Sequence, residues 1–138
     1  MIKRLFITYR PENSFFSELA LTFLRVFTGL SLALAHGMGK TPPSEPFIEG
    51  VTNLGFPMPV FFAWAASLSE LAGGIALAIG LFTRPASALI CFTMAVAAFG
   101  RHANDAYGVK EMAFLYGAIT FFFMVRGSNK FSIDSLMK

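Results

Sequence analysis

The stretch PVFFAWAASLSELAGGIALAIGLF, residues 59–82, decides the fold. It is apolar over the length of a membrane-spanning helix, for which about 17–25 mostly apolar residues suffice. Glu70 is its one charge. Pro59 suits a first helical turn and Gly80 a helix end. Working outward, the same reading predicts a span over Phe16–Gly37, with Arg25 inside it. After the tight corner Thr83-Arg84-Pro85, two more spans are expected over Pro85–Gly100 and Lys110–Val125. The last two are short, so Arg101, Lys110 and Arg126 are expected to snorkel to the interface.

The composition agrees with this pattern. Apolar residues make up 55% of the chain and charged residues 14%, against roughly 25% charged in soluble domains. Seventeen Phe against three Tyr and one Trp would leave a soluble protein with an aggregating surface. The expected class is all-α: an integral membrane four-helix bundle, one domain over residues 1–138, surrounded by lipid and with no length left for a soluble domain. The connection Met38–Met58 holds Pro42, Pro43, Pro46 and Pro57, yet Phe47, Val51 and Leu54 recur at helical spacing. A short amphipathic surface helix is therefore predicted between helices 1 and 2, with Ser44 capping it and Gly55 ending it. The polar tail from Gly127, with Phe131 and Ile133 alternating, should fold back on the helix ends. The first 16 residues have basic residues, a short apolar run and no small-residue cleavage site, and read as a cytoplasmic leader to an uncleaved first helix.

Charge sets the exclusions. A net charge of +3 without a Lys/Arg run gives no footprint for nucleic acid. The single Cys91 allows no internal disulfide and no CxxC site, and its apolar setting reads as packing. Lys3, Arg4, Arg10, Arg84, Arg126, Lys130 and Lys138 fall on one side of the four spans, and Lys40, Arg101 and Lys110 on the other. The positive-inside rule then places both termini in the cytoplasm and the His102 loop outside.

Arg25 and Glu70 are costly within a bilayer, where a lone charge costs about 2.5–3.5 kcal/mol on insertion scales. Opposite signs on consecutive antiparallel helices suggest a structural ion pair, Arg25–Glu70. Gly74 and Ala78 continue the face of Glu70, Ala65, Ser69 and Gly73 form a small-residue stripe beside it, and Gly29 follows Arg25. All of these permit close helix approach. At about 100° per residue, Arg25, Gly29, His36 and Lys40 form one polar stripe, to which the last two spans bring His102, Asp105 and Glu111. The candidate site is therefore Glu70, His36 and His102 as proton-handling groups, with Arg25, Lys40 and Glu111 as ligand-binding groups. The plainer readings are that Arg25–Glu70 only fixes helix pairing, that the histidines are wet interfacial residues, and that Glu111 complements a helix dipole. No metal site is expected, since the candidate ligands lack i, i+3 or i, i+4 spacing within a helix and Arg25 would repel a cation. Phe121, Phe122, Phe123, Met94 and Met124 read as lipid-facing.

These residues carry a family resemblance. Arg25, Gly29, His36, Gly37 and Lys40 in the first span, Phe56-Pro57-Met58-Pro59, and Ser69-Glu70-Leu71-Ala72-Gly73-Gly74 resemble the DoxX family of small four-helix bacterial membrane proteins. So do the run Ala78–Ala86, Glu111, and the closing Gly127, Lys130, Phe131, Ser132 and Asp134. Ser128-Asn129 stands where the family usually has Pro-Gly. The resemblance implies the fold and a bacterial inner-membrane location. It also implies a link to membrane redox chemistry, since relatives include thiosulfate:quinone oxidoreductase subunits and a complex that handles oxidative stress. Three function classes follow. The first is a quinone-linked oxidoreductase subunit without its own redox cofactor, served by a redox partner protein. The second is a non-catalytic assembly module that recruits a partner, and the third is a small-molecule or proton transporter, expected as an oligomer. A quinone headgroup needs hydrogen-bond donors and a proton-exchanging group beside an apolar slot, which favours the first.

Overall fold

A computed structural model describes residues 14–137; the leader expected at the N-terminus falls mostly outside them. The described residues are all-α, and four of their helices are long and apolar enough to cross a membrane. Helix α1 (Phe15–Ser31) runs on without a break through a π-helical segment, Leu32–Gly37, and a 3₁₀ turn, Met38–Lys40. Helix α2 (Glu45–Asn53) is the short amphipathic element, and α3 (Pro59–Ile79) the second span. Helix α4 (Thr83–Val96) also ends in a π-helical segment, Ala97–Arg101. Helix α5 (Tyr107–Arg126) is the last span, and a single turn, α6 (Ile133–Leu136), lies in the tail.

The spans fall where the sequence places them, with shifted ends. The first reaches Lys40 rather than Gly37 because the 3₁₀ turn Met38–Lys40 continues it. The second stops at Ile79, where Gly80 takes a left-handed conformation (φ 71°). Ser44 is the N-cap residue of α2 but makes no side-chain capping bond. Gly55, also left-handed (φ 81°), ends the segment as expected.

Small residues set the packing. A Cβ on Gly74 would lie 2.7 Å from the Gly29 carbonyl oxygen and 3.0 Å from Ala33 N, so α1 and α3 cross backbone against backbone at this point. Such contact is the usual basis of helix association in lipid, where no hydrophobic force draws helices together. Helix α3 packs in turn on α4, and α4 on α5. The core cluster Leu32, Leu77, Ile90, Met94, Tyr116 and Phe123 fills the space between them. Phe121 and Phe122 are exposed, as a lipid-facing surface requires. Phe123 and Met94 are buried and belong to the core instead, because α4 and α5 turn those faces inward.

The tail folds back on the helix ends, as a polar plug. Asp134 Oδ1 and Oδ2 accept from the backbone N–H groups of Phe82 (2.8 Å) and Thr83 (3.0 Å), and Asp134 N donates to Gly80 O. This carboxylate therefore satisfies donors at the α3–α4 corner, where Phe82 is held left-handed at φ 47°. Asn129 Nδ2 donates to Glu18 O and Thr22 Oγ1, and Glu18 Oε2 accepts from Lys130 N.

Candidate functional site

The Arg25–Glu70 ion pair expected from the sequence does not form. Arg25 Nη1 donates to the carbonyls of Leu77 (3.0 Å) and Ala78 (2.9 Å), and Nη2 to that of Phe131 (2.6 Å). Glu70 instead receives Lys40, whose Nζ lies 2.9 Å from Oε1 and 2.8 Å from Oε2. The register of the α1–α3 crossing explains the difference. Gly29 lies against Gly74 and Ala78, and Gly37 against Leu71. Arg25 is therefore level with the far end of α3. Glu70 lies eight residues before Ala78, about 12 Å away along the helix axis.

Glu70, midway along α3, faces a cavity of about 150 Å³. His36, Lys40, Glu70, His102 and Tyr116 give this cavity its polar lining, and Met94, Ala97, Val109, Met112 and Ala113 its apolar lining. Four of the six candidate residues meet there. Arg25 lines the opposite end of the molecule, and Glu111 is exposed outside the cavity. The π-helical segments end on this side as well: one carries His36, and the other carries Ala97 and leads directly to His102. Such local widenings of a helix are frequent at functional sites.

Each polar group has a distinct environment. Glu70 is 2% exposed and bonded through both oxygens to Lys40, whose side chain is 37% exposed. The ammonium therefore neutralises a buried carboxylate from the wet side. His102 Nδ1 lies 2.7 Å from Asp105 Oδ2. An ionised carboxylate only accepts, so Nδ1 carries the proton. That bond orients the ring and, in the neutral imidazole, leaves Nε2 as an acceptor. The His36 ring meets the Tyr116 ring edge-on, with centroids 5.5 Å apart. Neither the His36 imidazole nor the Tyr116 hydroxyl has a hydrogen-bond partner among the described residues, and both line the cavity. Helices α1 and α5, which carry them, are not among the pairs that pack backbone to backbone. The cavity lies where that packing is missing.

Tyr116 was not singled out in the sequence. Its only signal is that it is the one phenol within the span, one turn beyond Met112, the helix's other tyrosine, Tyr107, standing at its start. No group of three or more His, Cys, Asp or Glu that could hold a metal occurs among the described residues. The arrangement offers a hydrogen-bonding imidazole, a phenol, a second oriented imidazole and a neutralised carboxylate beside an apolar wall. It is suited to holding the polar head of a lipophilic molecule and exchanging protons with it.

Comparisons with known proteins agree with this architecture. No solved structure matches the chain. It is 36% identical over 76 residues to "Inner membrane protein YphA" of Escherichia coli (strain K12), covering 54% of each chain. It is 32% identical over 77 residues to "Putative oxidoreductase CatD" of Bacillus subtilis (strain 168), covering 56% of this chain and 55% of the relative. The matches thus span about half the length of these relatives. The DoxX family model matches residues 20–103, a segment that includes the α1–α3 crossing and every polar cavity residue except Tyr116, and the chain belongs to the DoxX family.

Proposed function

We propose that the protein is a quinone-binding membrane subunit of an oxidoreductase, with its site in the cavity bounded by His36, Lys40, Glu70, His102 and Tyr116. The observation that carries this reading is the juxtaposition of two unpartnered polar groups, the His36 imidazole and the Tyr116 hydroxyl, on one partly apolar cavity. A volume of about 150 Å³ is below the roughly 300–1,000 Å³ of pockets that enclose a whole drug-sized ligand. It suits a single ring, with an isoprenoid tail left among the exposed apolar side chains. A bound quinone would supply a carbonyl that accepts hydrogen bonds and takes up protons when electrons arrive from a partner protein. His36 and Tyr116 hold that carbonyl, and His102 Nε2, backed by Asp105, relays protons from the loop. The Lys40–Glu70 pair keeps the wall electrically neutral. The relative named as an oxidoreductase supports the same class of chemistry.

The distribution of Lys and Arg supports a bacterial inner-membrane orientation with both termini cytoplasmic and the cavity on the outer side. A cysteine placed at Gly108, where a Cβ meets nothing within 4 Å, should react with an impermeant thiol reagent from outside. Protection there, with labelling only after permeabilisation, reverses the topology.

Ligand retention tests the site. Organic extracts of the purified wild type should contain near-stoichiometric quinone by mass spectrometry. His36→Ala and Glu70→Gln should lose it, Tyr116→Phe should retain less, and folded Arg25→Lys, altered far from the cavity, should keep it. Bulk phospholipid alone in every extract would leave the protein as an assembly module whose cavity is architectural.

A further inference from the structure

A second cavity, of about 360 Å³, lies between α2 and the end of α4, lined by Pro46, Glu49, Gly50, Asn53, Leu54 and Arg101. Pro46, Glu49, Gly50 and Asn53 recur at helical spacing on one face of α2. Leu54 sets the separation, since its Cδ2 would lie 3.3 Å from a Cβ on Gly100. Two opposite charges, Glu49 and Arg101, line this one space, yet they form no salt bridge with each other or with any other described residue. Both are exposed. They lie at the end of a spanning helix and on an amphipathic helix, where lipid headgroups reside. Gly50 leaves the groove open, because a Cβ there meets nothing within 4 Å.

The geometry points to a binding site for a phospholipid headgroup carrying a primary ammonium, with its phosphate on Arg101 and its ammonium on Glu49. Arg pairs with phosphate through two parallel N–H donors. Glu49 accepts from an ammonium that carries N–H groups, which a trimethylated headgroup lacks. The Asn53 amide is placed to donate to the phosphate or the glycerol ester. Glu49 is the selective element: an anionic headgroup without an amine would meet Arg101 but form no ion pair with the carboxylate. A volume of about 360 Å³ lies within the roughly 300–1,000 Å³ usual for small-molecule sites. This site is independent of the quinone cavity and stands or falls separately.

Native mass spectrometry of the delipidated full chain, offered phosphatidylethanolamine, phosphatidylcholine or phosphatidylglycerol in turn, tests it. Wild type should retain phosphatidylethanolamine about tenfold more tightly than either other lipid, roughly the difference one charge-assisted contact makes. Glu49→Gln should abolish that preference while leaving phosphatidylglycerol bound, and Arg101→Gln should weaken all three. Gly50→Leu should expel lipid by filling the groove with both charges in place. Equal retention of all three lipids by wild type, unchanged by Glu49→Gln, overturns the proposal. So does tight phosphatidylethanolamine binding by Gly50→Leu. Lipid bound against excess free phosphoethanolamine confirms a membrane source, whereas its displacement assigns the site to a soluble zwitterion and overturns the lipid reading. Glu49 and Arg101 are exposed, so their variants report on binding without a folding defect.

Discussion

Arg25 and Glu70 were legible in the sequence as the two charges that must matter, and the structure gives each a different task. Arg25 ties α1 to carbonyls of α3 and of the tail, while Glu70 closes on Lys40. Which residues pair depends on where two helices cross, and the residue types alone do not contain that depth. The first span runs on to Lys40, so placing both charges at mid-span sets Arg25 about two turns from its true level on α3. A double-mutant cycle checks the assignment by denaturant unfolding in detergent. Arg25→Lys with Glu70→Gln should be additive within about 0.5 kcal/mol. Lys40→Met with Glu70→Gln should show a coupling of about 1 kcal/mol, modest because Lys40 is partly solvated.

At the scale of the helix, small residues are not equivalent. Gly73 and Gly74 are adjacent, yet a Cβ on Gly73 meets the Ile90 side chain at an ordinary 3.4–3.5 Å, whereas one on Gly74 runs into the α1 backbone. Gly73→Ala should therefore be neutral or stabilising, by up to about 1 kcal/mol from helix propensity. Gly74→Ala should cost about 2 kcal/mol or more by forcing α1 and α3 apart. Thermal unfolding of both variants in one detergent makes the comparison. The Gly29, Gly74 and Ala78 face was readable in advance, because close approach in lipid demands small residues at helical spacing. The two π-helical segments were not, because the widened turn arises from packing and nothing in LALAHG or AAFGR prescribes it. Tyr116 escaped for a related reason: its importance lies in facing His36 across a gap that no single helix's sequence describes.

Across the whole molecule, the two ends have separate duties. One end holds the cavity, with its imidazoles and phenol. The other is a closed polar base in which the tail joins α1, α3 and α4. Composition and periodicity made the four spans and the surface helix plain, and they made the tail's return plausible. They did not show that Asp134 would cap the α3–α4 corner, because a contact across 52 residues leaves no local pattern. Asp134→Ala leaves two backbone donors without their acceptor and removes the carboxylate that attracts Arg25. Two buried donors left unsatisfied should destabilise the fold by about 2–4 kcal/mol, measured by thermal unfolding. Asp134→Asn retains one acceptor oxygen and should lose less.

The base also imposes an order in time. Arg25 finds the last of its three carbonyl partners, Phe131, only 106 residues later. At about 5–20 residues per second, the ribosome delivers that partner roughly 5–20 s after the arginine. The cavity-forming spans are inserted during this interval, while their base is still unsealed. Until the tail docks, Arg25 holds only the carbonyls of Leu77 and Ala78, so the base is the last part of the described fold to close.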